Sequence, residues 1–121
     1  MVKRTGPTNI NLRKLIHTLR KVGRENNARI WIYLSELLNK PTRQRIEVNL
    51  GKIDKLTKEG DVVVVPGKVL GYGKLTKRIT ISAWKFSESA LEKIKNINAE
   101  AIGIEELIRI NPKGSNVKII I

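Results

Sequence analysis

Cysteine is missing altogether from this 121-residue chain, and histidine and methionine occur once each. Disulfides, Cys-ligated zinc and thiol nucleophiles are thereby excluded, and a lone histidine leaves neither a His-based metal site nor a two-histidine mechanism. Acids are scarce: 11 Asp and Glu face 24 Lys and Arg, a net charge of +13. That excess goes beyond what solubility requires and implies an anionic partner, nucleic acid or acidic lipid. No apolar run reaches the length of a membrane span, and no signal peptide, lipidation motif or strongly apolar amphipathic helix is recognisable. Nucleic acid is therefore the favoured partner, with no membrane, and a cytoplasmic protein is expected.

Nucleotide and catalytic motifs are also wanting. A phosphate loop ending at Gly67-Lys68 would need glycine where Val62 stands and Ser or Thr where Val69 stands. Gly71 and Gly73 form only a fragment of a dinucleotide fingerprint, since its third glycine position is Thr76. There is no carboxylate pair, no Gly-x-Ser-x-Gly elbow and no recurring repeat. The reading is a protein that is not an enzyme, with no cofactor, no metal and no small-molecule substrate.

What the chain does hold is centred on Gly60 to Leu75, GDVVVVPGKVLGYGKL. Val62 to Val65 are four consecutive β-branched residues without alternation, which predicts a strand covered on both faces and ended by Pro66-Gly67. Beyond it, Gly67, Gly71 and Gly73 would let the backbone turn and approach a partner closely. Lys68 and Lys74 supply positive charge on either side of Tyr72.

At this length one domain with a modest core is expected. Residues 1–8 read either as a basic arm, with Lys3 and Arg4, that orders on a polyanion or as a frayed terminus. Leu12, Leu15, Ile16, Leu19 and Val22 recur at helical spacing, with Asn9 or Asn11 available as N-cap. The opposite face aligns Arg13, His17, Arg20 and Arg24, with Lys14 and Lys21 beside them. A face of one sign repels itself unless an anion lies against it, so phosphate contact is favoured over a solvated surface.

Gly23 and Asn26-Asn27 predict a turn, with Asn27 capping a second helix through about Leu38. Its apolar residues cover nearly the whole circumference, which makes Trp31 and Tyr33 core aromatics rather than base platforms. Pro41 stops it, and Arg43 and Arg45 make the connector basic. Residues 1–45 hold 11 Lys and Arg against 2 Glu, net +9, whereas residues 46–121 are nearer balance at net +4.

Further on, Asn49 is placed to cap a short helix through Leu50, Ile53 and Leu56. Arg78 to Phe86 alternates as a half-exposed strand carrying Lys85 and Trp84, for which packing is favoured over stacking. Lys77 and Arg78 extend the loop's basic character. Ser87 is placed to cap a helix with Ala90, Leu91, Ile94 and Ile97, and Phe86 and Leu91 to form a hydrophobic staple. A strand over Ala99 to Ile102, a helix over Ile104 to Ile110, a turn at Asn111-Pro-Lys-Gly-Ser and a strand over Val117 to Ile121 complete the chain.

The segment PGKVLGYGKLTKRITISAWKFSESALEKI, from Pro66 to Ile94, resembles the most characteristic stretch of the archaeal and eukaryotic L-eighteen-e family of large-subunit ribosomal proteins, itself related to the bacterial L-fifteen family. EVNLGKI and the tail IEELIRINPKGSNVKIII resemble the archaeal branch. The resemblance implies a single compact α/β domain with an irregular strand-strand-helix repeating core and an N-terminal basic helical extension. Residues 1–45 would form the arm and two helices packed on the core, and residues 46–121 the core itself. By motif match the glycine loop carries over to Gly67, Lys68, Gly71, Gly73 and Lys74, and the Asn-Pro-Lys-Gly turn to Asn111, Pro112, Lys113 and Gly114. Two positions depart from the family pattern: Tyr72, where a small or polar residue is expected, and Asn98-Ala99, where paired glycines are common.

Together these readings predict a structural constituent of the large ribosomal subunit, bound to large-subunit ribosomal RNA and flanked by neighbouring ribosomal proteins. Its RNA-binding residues would be Arg4, Arg13, Lys14, Arg20, Lys21, Arg24, Arg43, Arg45, Lys68, Gly71, Gly73, Lys74, Lys77, Arg78, Lys85 and Lys113. The alternative is a ribosome-independent architectural nucleic-acid-binding protein or RNA chaperone with the same electrostatics.

Overall fold

In the computed structural model of the chain, residues 10–40 and 46–121 are described, and Arg4, Asn9, Pro41, Arg43 and Arg45 fall outside them. The four valines extend into strand β2, Val62–Leu70, the centre of a parallel sheet. On one side β2 pairs with β3 (Thr80–Phe86), which pairs in turn with β4 (Glu100–Gly103). Its other side is shared by two short strands. β5 (Val117–Ile119) pairs with Val62 to Val64, and β1 (Glu47–Asn49) with Lys68 to Leu70.

Pro66-Gly67 does not end the strand as expected. Register shifts between Val65 and Lys68, at the point where β2 passes from β5 to β1. Pro66 lacks an N–H, and at this irregularity no ladder bond requires one.

A parallel sheet needs cover on both faces, and helices provide it. On one face α3 (Leu50–Leu56) and α4 (Glu88–Asn96) set Leu50, Ile53, Ala90 and Ile94 against Val63, Val65, Ile81 and Ala83. On the other, α1 (Ile10–Glu25), α2 (Arg29–Asn39) and α5 (Ile104–Ile110) enclose Val64 with Leu12, Leu19, Trp31, Leu34 and Leu107. Neighbouring valines thus serve opposite cores. The result is a mixed α/β domain of three layers.

Several local expectations change. Gly23 lies inside α1, where a Cβ would come 2.7 Å from Ile32 Cγ1, so this glycine serves the close crossing of α1 and α2. Asn11 is likewise within α1 and is not its cap. Asn27 adopts the left-handed conformation, φ 53°, and the N-cap of α2 is Ala28 without a side-chain bond. Asn49 does occupy the N-cap of α3, again without a side-chain cap bond. α2 is not buried all round: Trp31 is enclosed and donates Nε1–H to Pro112 O at 2.8 Å, but Tyr33 is 49% exposed.

β3 is not half-exposed, because β2 and β4 flank it and both faces are covered; Ser82 is fully buried and Trp84 packs partly buried against the α1–α2–α5 core. β1 was not anticipated, since three residues are too few to show a period. β4 begins one residue later than expected, while α5 matches its predicted span. Ser87 caps α4 through Oγ, accepting from Ala90 N–H at 3.2 Å. Leu56 and Leu91 remain exposed, so neither joins the face drawn for it.

Candidate nucleic-acid interface

Four groups of cations emerge from this fold. The first is the outer face of α1. Burial of Leu12, Leu15, Ile16 and Leu19 turns Arg13, Lys14, His17, Lys21 and Arg24 to the exterior, with Arg20 half-buried. Among the described residues none of the Arg or Lys side chains of α1 pairs with a carboxylate. Arg13, Lys14, His17 and Thr18 line a shallow concavity of about 510 Å³ whose far wall is Glu105 of α5. Unneutralised cations on a rigid rod match the phosphate spacing of a polyanion better than a flexible tail does, because their positions are fixed before contact.

The second group lies at the C-terminal end of the sheet. Lys68 of β2 is the register partner of Lys85 of β3, and Glu47 of β1 stands opposite Lys68 on the other side. Both lysines are exposed. Like charges on adjacent strands disfavour each other, and an anion across them would remove that cost.

The third is the crossover from β2 to β3, residues 71–79. Gly71 is buried, and a Cβ there would sit 2.8 Å from Ser89 Cβ and 2.9 Å from Ala90 N. Gly73 has φ +83°, and a Cβ there would meet Gly51 Cα at 2.7 Å. The close approach these glycines permit is thus to α3 and α4 of the same chain. Lys93 of α4 reinforces it, its Nζ donating to Gly71 O at 2.5 Å and Gly73 O at 2.9 Å, while Gly51 N–H donates to Tyr72 O at 3.0 Å.

Further along, Asp54 Oδ1 accepts from Thr76 N–H at 2.9 Å, and Lys77 is bonded to Asp54 O with its ammonium 4.0 Å from the carboxylate. Lys77 is therefore turned inward to α3, whereas Lys74 and Arg78 are exposed. Lys113, the fourth element, is exposed in the turn that Trp31 anchors through Pro112.

Sequence reasoning missed three lysines here. Lys52 and Lys55 of α3 share with Lys74 and Tyr72 a concavity of about 500 Å³, and Lys93 fixes the loop. The i, i+3 spacing of Lys52 and Lys55 was the available signal, but only the fold sets α3 beside residue 72. Asn98 adopts φ 60°, the conformation a glycine would take most easily, which accounts for that departure from the family pattern.

Comparison with known proteins identifies the family of the chain. The model of the family that groups ribosomal proteins L-fifteen and L-eighteen-e of the 50S subunit with L-twenty-seven-A of the 60S subunit matches residues 9–102. The chain belongs to that family. It is 50% identical over 117 residues to the large ribosomal subunit protein eL18 of Pyrobaculum aerophilum, covering 97% of this chain and 96% of that one. The protein of the same name from Methanopyrus kandleri is 47% identical over 121 residues, covering 96% of this chain and 95% of that one. That of Thermoplasma acidophilum is 46% identical over 104 residues, covering 86% and 87%.

Proposed function

We propose that the chain is a structural constituent of the large ribosomal subunit, and so works in the cytoplasm, binding folded ribosomal RNA without catalysing a reaction. Family membership and the name its archaeal relatives share support this reading. The observation that carries it at the level of chemistry is the outer face of α1, whose cations lack carboxylate partners among the described residues.

Arg13, Lys14, Arg20, Lys21 and Arg24 meet phosphates on one side, and Lys68 with Lys85 on another, so that RNA segments too repulsive to pack alone are held together. Lys74, Arg78 and Lys113 extend the contact; Arg4, Arg43 and Arg45 add charge from outside the described residues. Gly71, Gly73 and Lys77 act by shaping the loop that presents Lys74. Recognition is by RNA shape and backbone more than by base edges. Neighbouring ribosomal proteins complete the surroundings.

Gradient sedimentation of a cell extract tests the assignment. Stoichiometric recovery with large subunits at moderate salt is expected. Recovery in light fractions, or on bulk nucleic acid, would identify a ribosome-independent architectural protein or RNA chaperone instead.

A further inference from the structure

Tyr72 is 72% exposed, the most exposed of the large hydrophobic side chains among the described residues. Its backbone is nevertheless held on both sides. Gly51 N–H donates to Tyr72 O at 3.0 Å, and the Lys93 ammonium ties the carbonyls before and after it at 2.5 and 2.9 Å. Gly71 is packed on α4 and Gly73 on Gly51, so neither flank can swing the ring inward without displacing a helix. The fold has thus already fixed the loop, and tyrosine has only two side-chain torsions left to order on contact.

The surroundings of the ring are cationic. Lys52, Lys55 and Lys74 line the same concavity as Tyr72, with Asp54 as its one acid. That carboxylate is already occupied, since Oδ1 accepts from Thr76 N–H at 2.9 Å and from Thr76 Oγ1 at 3.0 Å. Lys52 Nζ is held by Ile121 O at 2.7 Å, whereas Lys55 and Lys74 are exposed and form no ion pair among the described residues. The other aromatics offer no such site: Trp84 packs against the core, and Tyr33 stands three residues from Glu36 on α2.

A bare aromatic face, pre-ordered and ringed by ammonium groups, has the chemistry that stacks a nucleobase while neutralising its flanking phosphates. Bases within a duplex are already stacked on each other. The partner must therefore be a nucleotide in a loop, bulge or splayed segment. We propose that Tyr72 is a stacking platform for one unpaired base of the bound RNA, with Lys55 and Lys74 on its adjacent phosphates; this rests on the RNA-binding reading above. Stacking of this kind tolerates any base, because every base presents a π face.

The test uses the full chain and large-subunit ribosomal RNA freed of protein. Tyr72→Ala is expected to lower affinity by roughly tenfold or more, the scale of a lost base–aromatic stack, with Tyr72→Phe binding as the parent does. Ultraviolet crosslinking of the parent chain should join residue 72 to an unpaired nucleotide. Unchanged affinity in Tyr72→Ala would overturn the stacking platform while leaving RNA binding intact, and is the result expected if the ring docks on a neighbouring protein. Failure of the parent chain to bind this RNA would overturn both. Should Tyr72→Ala also melt early, the crosslink decides, and its absence at residue 72 overturns the proposal.

Discussion

Two side chains show how single residues set stability in this fold. Ser82 Oγ is buried in the middle of β3 and has no hydrogen-bond partner among the described residues, so its desolvation is uncompensated there. Ser82→Ala is expected to leave stability unchanged or raise it by about 1 kcal/mol in urea denaturation; a clear loss would show that the hydroxyl is satisfied in solution. Asp61 works in the opposite sense. Its carboxylate accepts Lys58 N–H at 2.8 Å and the Lys118 ammonium at 2.9 Å, which together hold its pKa below the ordinary 3.8, against a smaller desolvation effect. A depressed folded-state pKa gives stability that is present above the unfolded value and lost as pH falls through the folded one. The gap between the parent chain and Asp61→Asn should therefore be constant near neutrality and shrink below pH 3.8. A gap in denaturation midpoints that does not narrow as the pH is taken progressively below 3.8 would refute this.

Among elements, the crossover between β2 and β3 is the most demanding, because it returns over the sheet without a helix of its own. Its glycines meet different constraints, and others in the chain serve as controls. Gly73 combines φ +83° with contact on Gly51, Gly71 has a close contact of its own, on Ser89 and Ala90, with ordinary φ, Gly60 has φ +86° with open space, and Gly103 has neither. Alanine at Gly73 should cost most. Alanine at Gly71 should cost about 1–3 kcal/mol from overpacking, at Gly60 about 1 kcal/mol from backbone strain, and at Gly103 under about 0.5 kcal/mol. Equal losses at Gly71 and Gly103, by urea midpoint, would contradict the packing assigned to the loop.

At the scale of the molecule, positive charge is concentrated in residues 1–45, net +9 against +4 for residues 46–121, with further exposed cations at the sheet's C-terminal end, in the β2–β3 crossover and at Lys113. Association with RNA should therefore be dominated by counterion release. Contact with six to ten phosphates implies a loss of several orders of magnitude in affinity between about 50 and 200 mM salt. Combining Arg13→Gln, Lys21→Gln and Arg24→Gln, all exposed positions, should leave the melting temperature near that of the parent chain. The slope of log affinity against log salt should flatten by roughly 2–3 units. An unchanged slope would remove α1 from the interface.

The sequence by itself determined the elements whose signal is local. The apolar stripe of α1, the Ser87 cap, the span of α5 and the one-signed charge of the N-terminal part all follow from spacing and side-chain chemistry along a short stretch. It also determined the family, because the loop and the turns around it are read residue by residue. Tertiary structure decided what depends on distant neighbours. Two short strands far apart in the chain, β1 and β5, share one side of β2, and this keeps Pro66-Gly67 inside a strand. Helices on both faces bury Ser82 and leave Tyr33 outside while Trp31 lies in the core, although both aromatics sit on one apolar helix. Gly71 and Gly73 look open to any partner in the sequence, and only the placement of α3 and α4 against them shows that the chain itself fills that space and leaves Tyr72 bare.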